Sequence, residues 1–540
     1  MIPKTLVDKK TLSKFGAENS LGVDMLIKYL ASLKDKIPKI TNDTTFTGNK
    51  KRNFKIDLNG QDIEDLNENI SPFFSNCINW KSARTQFNIT PPVSIPSVAA
   101  SSIASLLNPN GVWDVASGSF AELERFLVEY FSQLIEWENA GGMFVFGGTA
   151  TNMYPIKIGI TNCLRDAPSK GINDQIYVLS NDEGHSCHVT LCNWLGIGTE
   201  KCIRLKTNNQ GVVESKDLLE AFEELIKNGK YVACIILNSG TNFNGRFDDI
   251  KTIKLGIDYL VAKYNLNYTP HIHADSVIGW VFLLFKDYDF EKNDLDLPNP
   301  ILKKIEKIYS FASNIMYADS FGIDFHKTGF CPYLSSLFIT KDLNDWDKII
   351  GSDAPTFTHQ SFNFGDYKPG QYTLECSRPV NGAITAYTTL NSLGINGIRK
   401  IIANFLYIAE DLRYRMGILK DISICNKNSW GWSTQFLIKE NLSDSSFHKL
   451  YEEEEENQIE KNNAFQKEFY DYLISKYDNK LPWNIGFSKC YKKNKFGFSI
   501  SALKNYPMSP YTNIENNVEY LDWLLKNLEE FKNEKNKSRK

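Results

Sequence analysis

Four polar segments of this chain each follow a short apolar run of the kind that forms a β-strand. The pair Gly147 and Gly148 opens the segment GGTATN, and three reactive side chains stand in the others, His185, Asp275 and Lys327. The N–H groups of a glycine turn that opens a helix suit a phosphate. An imidazole can stack on a flat ring, a carboxylate can hold a ring nitrogen, and a lysine amine can attack an aldehyde. Together these residues predict a site for a phosphorylated aromatic aldehyde.

Each of these features also has an ordinary structural interpretation when it is taken alone. Lys327 could lie on a solvated surface, Asp275 could cap a strand end, and His185 could cap the helix that follows it. The glycine turn matches neither a dinucleotide-binding nor a Walker A pattern. Pyridoxal 5′-phosphate (PLP) has a phosphate, a flat ring, a ring nitrogen and an aldehyde, so one molecule accounts for all four features. Their combination predicts PLP as the cofactor.

The elements that must position these residues alternate between strand and helix patterns from about residue 140 to 330. Short β-branched runs, such as MFVF and YVACIIL, are each followed by a turn and a helical pattern, as at Ile250–Tyr264. Such alternation is typical of a mainly parallel sheet with helices packed on it. In these sheets the chemistry collects in the loops after the carboxyl ends of strands, which is where all four polar segments lie. We therefore predict an α/β fold.

Length and composition exclude several other classes of protein. The chain has 540 residues, of which 42% are hydrophobic and 23% charged, and its net charge of −3 gives no overall basic field for a nucleic-acid partner. Ten scattered cysteines without a C-x-x-C pair are typical of a reducing compartment. The N-terminus lacks the apolar core of a signal peptide, and no apolar run approaches the ~20 residues of a membrane helix. We expect a cytoplasmic protein that binds neither nucleic acid nor a membrane.

The segments also stand in the order of a known family. Along the chain they read FGGTATNMY, SNDEGHS, NSGTNFNGRFDDI, HIHADSVIGW, ADSFGIDFHKTG and LECSRP, from about 140 to 380. With them the chain resembles the group II pyridoxal-dependent amino-acid decarboxylases, which include glutamate, tyrosine and aromatic amino-acid decarboxylases. The resemblance implies an aspartate aminotransferase-like, fold type I PLP-dependent transferase with a mainly parallel seven-stranded sheet. We place an N-terminal helical arm at 1–85, a large PLP-binding domain at 86–395 and a C-terminal α/β domain at 396–540.

The resemblance implies a role for each reacting residue. Lys327 corresponds to the lysine that binds the cofactor aldehyde covalently, so its pKa must be lowered or the covalent link favoured by the site. Asp275 corresponds to the aspartate that keeps the pyridine nitrogen protonated, and His185 to the histidine stacked on the ring. The resemblance also implies that seven further residues bind the cofactor, namely Thr149, Ala150, Thr151, Thr241, Val277, Ser320 and His326.

Two positions depart from the family's pattern. Ser276 and Val277 follow Asp275 where the family usually has two alanines, which places the bulkier Val277 beneath the ring. Asp324 stands where many members have asparagine, because this chain has Asp-Phe-His-Lys in place of Asn-Pro-His-Lys. Asp324 adds a second carboxylate near Asp275 and has no role assigned by the resemblance. Neither change removes a reacting group.

The proton donor and the substrate-binding residue are less specific. Tyr333 matches a tyrosine of bacterial tyrosine decarboxylases and is our predicted proton donor, with a core aromatic as the alternative. Tyr367 and Tyr372 are the other candidates, in or beside a mobile lid expected between 341 and 371. Arg378 is our predicted substrate-binding residue, and a phosphate contact or a structural ion pair are its alternatives.

These assignments predict one reaction with stated alternatives. We predict PLP-dependent decarboxylation of a neutral apolar L-amino acid, aromatic or branched aliphatic, to the amine and CO₂. The family's usual assembly implies a homodimer with active sites at the subunit interface. The alternatives are oxygen-dependent decarboxylation and deamination to an aldehyde, decarboxylation of an acidic amino acid, and a catalytically silent binding subunit. The presence of Lys327, Asp275 and His185 argues against the silent subunit.

Overall fold

The computed structural model describes most of the chain. The described residues are 21–34, 44–45, 56–74, 77–172, 175–208, 210–350, 367, 369–440, 446–478 and 480–538. Most of the lid expected between 341 and 371, and part of the predicted N-terminal arm, lie outside these residues.

The N-terminal segment carries short elements. In chain order they are α1 (Val23–Lys34), β1 (Thr44–Thr45), α2 (Ile63–Ile70) and β2 (Thr85–Gln86). The sequence predicts α1 from the amphipathic stretch at 21–33, and the helix buries none of its own residues in this chain. Its apolar side chains are therefore available to pack against something else.

The main sheet has seven strands. In chain order they are β3 (Gly141–Val145), β4 (Ile176–Asn181), β5 (Cys202–Leu205), β6 (Tyr231–Asn238), β7 (His271–Asp275), β8 (Ser320–Asp324) and β9 (Ser336–Thr340). Their spatial order is β3-β9-β8-β7-β6-β4-β5. Strand β9 runs antiparallel to both of its neighbours, and the other neighbouring pairs are parallel. The predicted mainly parallel seven-stranded sheet is confirmed.

Helices cover this sheet and bury its central strands. In chain order they are α3 (Ile95–Leu107), α4 (Asp114–Ser117), α5 (Phe120–Leu134), α6 (Gly148–Cys163), α7 (Ala167–Lys170), α8 (Cys187–Trp194), α9 (Ser215–Lys227), α10 (Ile250–Lys263), α11 (Asn299–Ala312), α12 (Phe325–Thr328) and α13 (Asn381–Gly417). The described residues also contain 3₁₀ segments, at Ser71–Phe73 in the N-terminal segment and at Thr199–Lys201, Gly279–Phe285, Ser313–Tyr317, Leu343–Lys348 and Pro369–Gln371. Because both faces of the sheet are covered, every residue of the central strands β7 and β8 is buried, polar ones included.

One close contact sets the position of α6 on the sheet. A Cβ atom at Gly159 would lie 2.0 Å from the carbonyl oxygen of Ala233 in β6. Since glycine alone lacks this atom, α6 can lie directly on β6. The contact sets the position of α6 on the sheet. The helix begins at Gly148, beside the carboxyl ends of the parallel strands.

The C-terminal part forms a second sheet with its own core. Its elements are β10 (Ile422–Ile424), β11 (Thr434–Ile438), α14 (Phe447–Tyr451), α15 (Glu456–Lys476), β12 (Lys480–Leu481), β13 (Asn484–Lys493), β14 (Ser499–Asn505) and α16 (Ile514–Ser538). The sheet order is β10-β11-β14-β13-β2, so the end of the N-terminal segment pairs with the C-terminal sheet. Helix α13 breaks at Gly394, whose φ is 68°, next to the domain boundary placed at 395. The boundaries themselves stay predictions.

Within the described part of the chain, no helix is both long and apolar enough to cross a lipid bilayer.

Candidate active site

The carboxyl ends of the parallel strands bring most of the predicted residues to one edge of the sheet. Asp275 ends β7 and Asp324 ends β8, while Gly148 begins the helix that follows β3. A Cβ atom at Gly148 would lie 2.6 Å from Asp324 Oδ2 and 3.2 Å from Val277 Cγ1. The first turn of α6 therefore lies directly against the ends of these strands.

Asp275 is buried and held on one side only. Its Oδ2 accepts a hydrogen bond from Asn152 Nδ2 at 3.2 Å and lies 3.4 Å from His188 Nε2. The other ring nitrogen of His188 is 2.6 Å from Ser180 Oγ, which fixes the orientation of the imidazole. Within the described residues, Asp275 Oδ1 is buried and has no hydrogen-bond partner. One oxygen of the carboxylate is thus available to a donor from a ligand.

The charge of Asp275 is stabilised by its surroundings. Burial alone would raise the pKa of the carboxyl, but the hydrogen bond and attraction of His188 outweigh it, with further contributions from His273 and Lys327. The pKa of Asp275 is held well below its usual range. At neutral pH the carboxylate is ionised and suits a protonated ring nitrogen.

Lys327 lies beside a second carboxylate. Its Nζ is 2.7 Å from Asp324 Oδ2, and the side chains of Lys327 and Asp324 are 20% and 1% exposed. Asp324 Oδ1 accepts a hydrogen bond of 2.5 Å from Ser336 Oγ, and Oδ2 lies 3.6 Å from His326 Nε2. The short helix α12 carries Lys327 back over the strand end, so the ion pair forms between neighbouring elements.

This ion pair contradicts the first of the two alternatives expected for Lys327, a lowered pKa, and leaves the second as a prediction. Burial lowers the pKa of the Lys327 ammonium, but Asp324 more than compensates, and Asp275 adds to its effect. The pKa of Lys327 is therefore raised, where the sequence predicts a lowered pKa or a site that favours the covalent link. The reason is the carboxylate of Asp324, whose role the sequence left open.

His185 lies at the rim of the site. It is exposed at the exit of β4, and its Nδ1 accepts the N–H of Cys187 at 3.1 Å, as a helix cap does. The surrounding protein displaces water and lowers the pKa of the imidazole, while Asp275 opposes this and Lys327 adds to it. The ring is neutral at physiological pH. It accepts a hydrogen bond at the start of α8, as the cap interpretation predicts, and its stacking on a ring stays a prediction.

Two N–H groups of the predicted phosphate-binding turn, those of Ala150 and Thr151, already have partners within the turn. Gly147 has a φ of 106°, which favours glycine, and its carbonyl accepts the N–H groups of Ala150 at 2.9 Å and Thr151 at 3.3 Å. Both of these side chains are buried, and Thr151 Oγ1 donates to the carbonyl of Gly148. Gly148 and Thr149 are left at the open first turn of α6, where helices bind anions.

One predicted cofactor ligand is wrong. Ser320 begins β8 and therefore lies about 13 Å from the site end of the strand, at about 3.3 Å per residue. It is fully buried, and its Oγ is 2.7 Å from His271 Nε2 and 2.8 Å from His273 Nδ1. The direction of the strand places Ser320 in a buried polar cluster at the opposite end.

The remaining predicted cofactor residues lie around the same edge. Val277 is 8% exposed and contacts the first turn of α6. His326 is buried, with its Nδ1 3.1 Å from the carbonyl oxygen of Ser335. Thr241 follows β6, and its Oγ1 accepts the N–H of Arg246 at 3.0 Å. This hydrogen bond stabilises the loop between the two residues. Their cofactor contacts stay predictions.

Of the three tyrosines considered as proton donors, Tyr333 lies against a site residue. Its ring centroid is 4.5 Å from that of His326, and the side chain is 60% exposed. The hydroxyl is 3.3 Å from Thr90 Oγ1. Tyr367 is instead stacked under Arg125, and Tyr372 packs against Trp346 at 5.8 Å.

Arg378 forms a structural ion pair. Its guanidinium lies 2.5 Å from Glu124 Oε1 and donates to the carbonyls of Gly111 at 2.7 Å and Phe144 at 2.8 Å. The side chains of Arg378 and Glu124 are 3% and 8% exposed. These contacts correct the prediction of Arg378 as a substrate-binding residue and favour the ion-pair alternative.

Sequence reasoning missed three residues that support the site. His188 lies in the same NDEGHSCH segment as His185 and one helical turn later, a spacing that could have revealed it. Asn152 lies within GGTATN, one turn into α6. Ser336 had no local signal, because it begins β9, and only the antiparallel direction of that strand brings its first residue to the site.

The residues present fit PLP, with one exception. Asp275 Oδ1 is buried without a partner and suits the ring nitrogen, and Lys327 supplies an amine for the aldehyde. The open turn at Gly148 suits the phosphate, and the exposed ring of His185 suits a stacking contact. The exception is Asp324, a carboxylate beside the turn that would hold an anion.

Comparison with known proteins gives a consistent result. Residues 49–288 match the model of the pyridoxal-dependent decarboxylase conserved domain. The acidic amino acid decarboxylase GADL1 of Xenopus tropicalis is 23% identical over 374 residues, which are 67% of this chain and 68% of that protein. GADL1 of Bos taurus is 23% identical over 328 residues, 59% of this chain and 58% of that protein. The match thus spans less than two thirds of the cattle protein.

Solved structures share the fold over nearly the whole chain. Mouse CSAD in apo form has a TM-score of 0.74 and 16% identity, covering 95% of this chain and 99% of that one. Tryptophan decarboxylase of Catharanthus roseus in complex with L-tryptophan has a TM-score of 0.72 and 14% identity, covering 95% and 98%. The 4-hydroxyphenylacetaldehyde synthase of Rhodiola rosea has a TM-score of 0.66 and 14% identity, covering 98% and 99%. The predicted fold type I is confirmed.

The buried ion pair of Arg378 generates a stability prediction. Arg378→Met should lower the free energy of unfolding by about 3–5 kcal/mol, because Glu124 stays buried without its partner. Adding Glu124→Gln should restore part of the loss, since the amide oxygen still accepts the N–H of Phe144. Urea denaturation of both variants measures this. Wild-type stability of Arg378→Met together with weaker ligand binding would restore the substrate-binding assignment.

Proposed function

We propose that this chain, which matches the pyridoxal-dependent decarboxylase domain model over residues 49–288, decarboxylates a neutral apolar L-amino acid to the amine and CO₂. The observation that carries this proposal is the pair of strand ends at β7 and β8. Asp275 offers a charged carboxylate with one unpartnered oxygen, and Lys327 offers an amine at the neighbouring strand. A PLP site requires both groups, a carboxylate for the ring nitrogen and an amine for the aldehyde.

The chain's own residues would hold the cofactor at four points. PLP supplies an electron sink for the negative charge that stays on the substrate's α-carbon when CO₂ leaves. Lys327 binds the aldehyde, and Asp275 keeps a proton on the ring nitrogen. His185 stacks on the ring, and the N–H groups of Gly148 and Thr149 bind the phosphate.

His188 and Asn152 act through Asp275. Both contact Oδ2 and leave Oδ1 open, so they orient the carboxylate as well as stabilise its charge. A carboxylate that stays ionised keeps the ring nitrogen protonated, which strengthens the electron sink. We assign these two residues a positioning role.

Tyr333 is the proposed proton donor. A tyrosine that donates its Oη proton to the substrate's α-carbon must reach the site from an exposed position, and Tyr333 is 60% exposed with its ring on His326. Its side chain is accessible, whereas the Tyr367 hydroxyl is buried. These contacts favour Tyr333 over the two lid candidates.

Two cations beside the segment that precedes His185 already have partners, which supports a neutral substrate side chain. Arg204 donates to the carbonyl groups of residues 181, 182 and 184, so its guanidinium is already occupied. Lys492 pairs with the buried carboxylate of Glu183. An acidic side chain would need a cation of its own, and these cations already have partners in the described residues. The relatives named for acidic amino acids keep the acidic alternative open to test.

A homodimer is the proposed assembly. Ile27 and Leu30 on α1 are 58% and 55% exposed, and Ile95 and Leu107 on α3 are 62% and 48% exposed. Apolar side chains grouped on exposed helices favour a protein interface. A second copy of this chain would cover them. The cytoplasmic location stays a prediction.

Covalent capture of the cofactor is the direct test of the site. Borohydride reduction of protein incubated with PLP should fix the adduct on the peptide that contains Lys327, as peptide mapping by mass spectrometry would locate. Lys327→Met should lose both the adduct and the visible absorption band, whereas Lys341→Met, a change at an exposed lysine, should keep both. An adduct on another lysine, or none on the wild type, contradicts the proposed function.

Substrate class is tested with a panel of the twenty amino acids. Turnover of neutral apolar substrates, measured as amine and CO₂, should exceed that of glutamate and aspartate by at least about tenfold in kcat/KM. Efficient glutamate turnover would overturn the proposed substrate. Aldehyde and hydrogen peroxide in place of amine would overturn the proposed product.

The proton donor is tested by removing one hydroxyl. Tyr333→Phe should slow amine formation by about 10²–10⁴-fold, because general acid catalysis contributes about that much. KM should change little, and the fraction of aldehyde in the product should rise. Tyr372→Phe is the matched control and should behave as the wild type. Unchanged amine formation by Tyr333→Phe would exclude this residue as the donor.

A further inference from the structure

A carboxylate of this chain lies where the site should receive an anion. Asp324 Oδ2 approaches the first residue of α6 so closely that a Cβ at Gly148 would lie 2.6 Å from it. The side chain of Asp324 is 1% exposed. The first turn of a helix attracts negative charge, and here part of that attraction is already used by the protein's own carboxylate.

Asp324 is held in this position by its neighbours. Ser336 Oγ donates to Oδ1 at 2.5 Å, and Lys327 Nζ lies 2.7 Å from Oδ2. His326 Nε2 is 3.6 Å from the same oxygen. The carboxylate therefore has a hydrogen bond at Oδ1 and an ion pair at Oδ2, and both hold it beside the first turn of α6.

We propose that Asp324 opposes cofactor capture, both by holding Lys327 in an ion pair and by placing a negative charge beside the cofactor's phosphate. This protein would consequently hold PLP less tightly than the same site with a neutral residue at position 324. The inference rests on the proposed function, because it assumes that PLP occupies this edge of the sheet.

The first effect acts on the lysine. Nζ bonds to the aldehyde carbon as a neutral amine, and both amine hydrogens leave with the aldehyde oxygen as one water molecule. The third hydrogen of the ammonium must first pass to solvent. The ion pair with Asp324 stabilises the ammonium and so reduces the fraction of Lys327 that can react.

The second effect acts on the phosphate. A phosphate bound at Gly148 and Thr149 carries negative charge close to the carboxylate of Asp324, and the two repel each other at low local dielectric. Asparagine has nearly the same shape as aspartate and no charge. Its amide oxygen can still accept from Ser336, and its Nδ2 can donate to an anion. Asp324→Asn removes both effects with little change in volume.

PLP titration of the full-length protein tests the inference. Asp324→Asn should bind PLP at least about tenfold more tightly than the wild type, which corresponds to about 1.4 kcal/mol, and form the lysine-linked absorption band faster. With pyridoxal, which lacks the phosphate, the gain in affinity should be smaller and the gain in rate should remain. Asp258→Asn is the control, because Asp258 also pairs with a lysine, Lys254 at 2.5 Å, on the surface.

The outcomes separate the inference from the proposed function. If the wild type forms the band and Asp324→Asn binds PLP no more tightly, Asp324 does not oppose capture and the inference is wrong. If neither the wild type nor the control forms the band, the proposed function itself is wrong. Circular dichroism and thermal melting report the folding of each variant. Asp324→Ser, a smaller neutral replacement, should also bind more tightly than the wild type and provides the second test.

Discussion

An ionised carboxylate in the protein interior is the constraint on which this site depends. Asp275 ends a strand that is buried on both faces, where a charge without partners would cost several kcal/mol. His188 and Asn152 offset this cost by contacting the same oxygen, Oδ2, and they come from different helices. The sheet must therefore hold α6 and α8 at fixed positions around the end of β7. The close packing of α6 on β6 and the bond from His188 to Ser180 are how it does so.

The same edge contains two carboxylates with opposite effects. Asp275 has one oxygen open and attracts a cationic ring nitrogen. Asp324 has contacts at both oxygens and attracts the ammonium of Lys327. Their difference comes from their neighbours, since both are aspartates at the ends of adjacent parallel strands. Strand ends supply the side chains, and the elements packed against them decide whether a carboxylate is free for a ligand or occupied by the protein.

Much of the fold and the centre of the site could be predicted from the sequence. Lys327, Asp275 and His185 each follow an apolar run, and parallel strands bring such exits to one edge. The roles predicted for Ser320 and Arg378 were wrong because each depends on tertiary structure. Ser320 begins its strand, so its side chain lies at the far edge, and Arg378 meets Glu124, which is distant along the chain. Ser336 and the raised pKa of Lys327 depend on pairs that no local pattern records.

The close packing at Gly159 affects how tightly the site can hold its cofactor. An extra methyl group there would push α6 away from the sheet, and the helix carries both the anion-binding turn and the amide that steadies Asp275. Such a variant would hold the cofactor less tightly and lose occupancy. By mass action, a rise in vitamin B6 would offset that loss. A change far from the reacting atoms would thus behave as a vitamin-responsive defect.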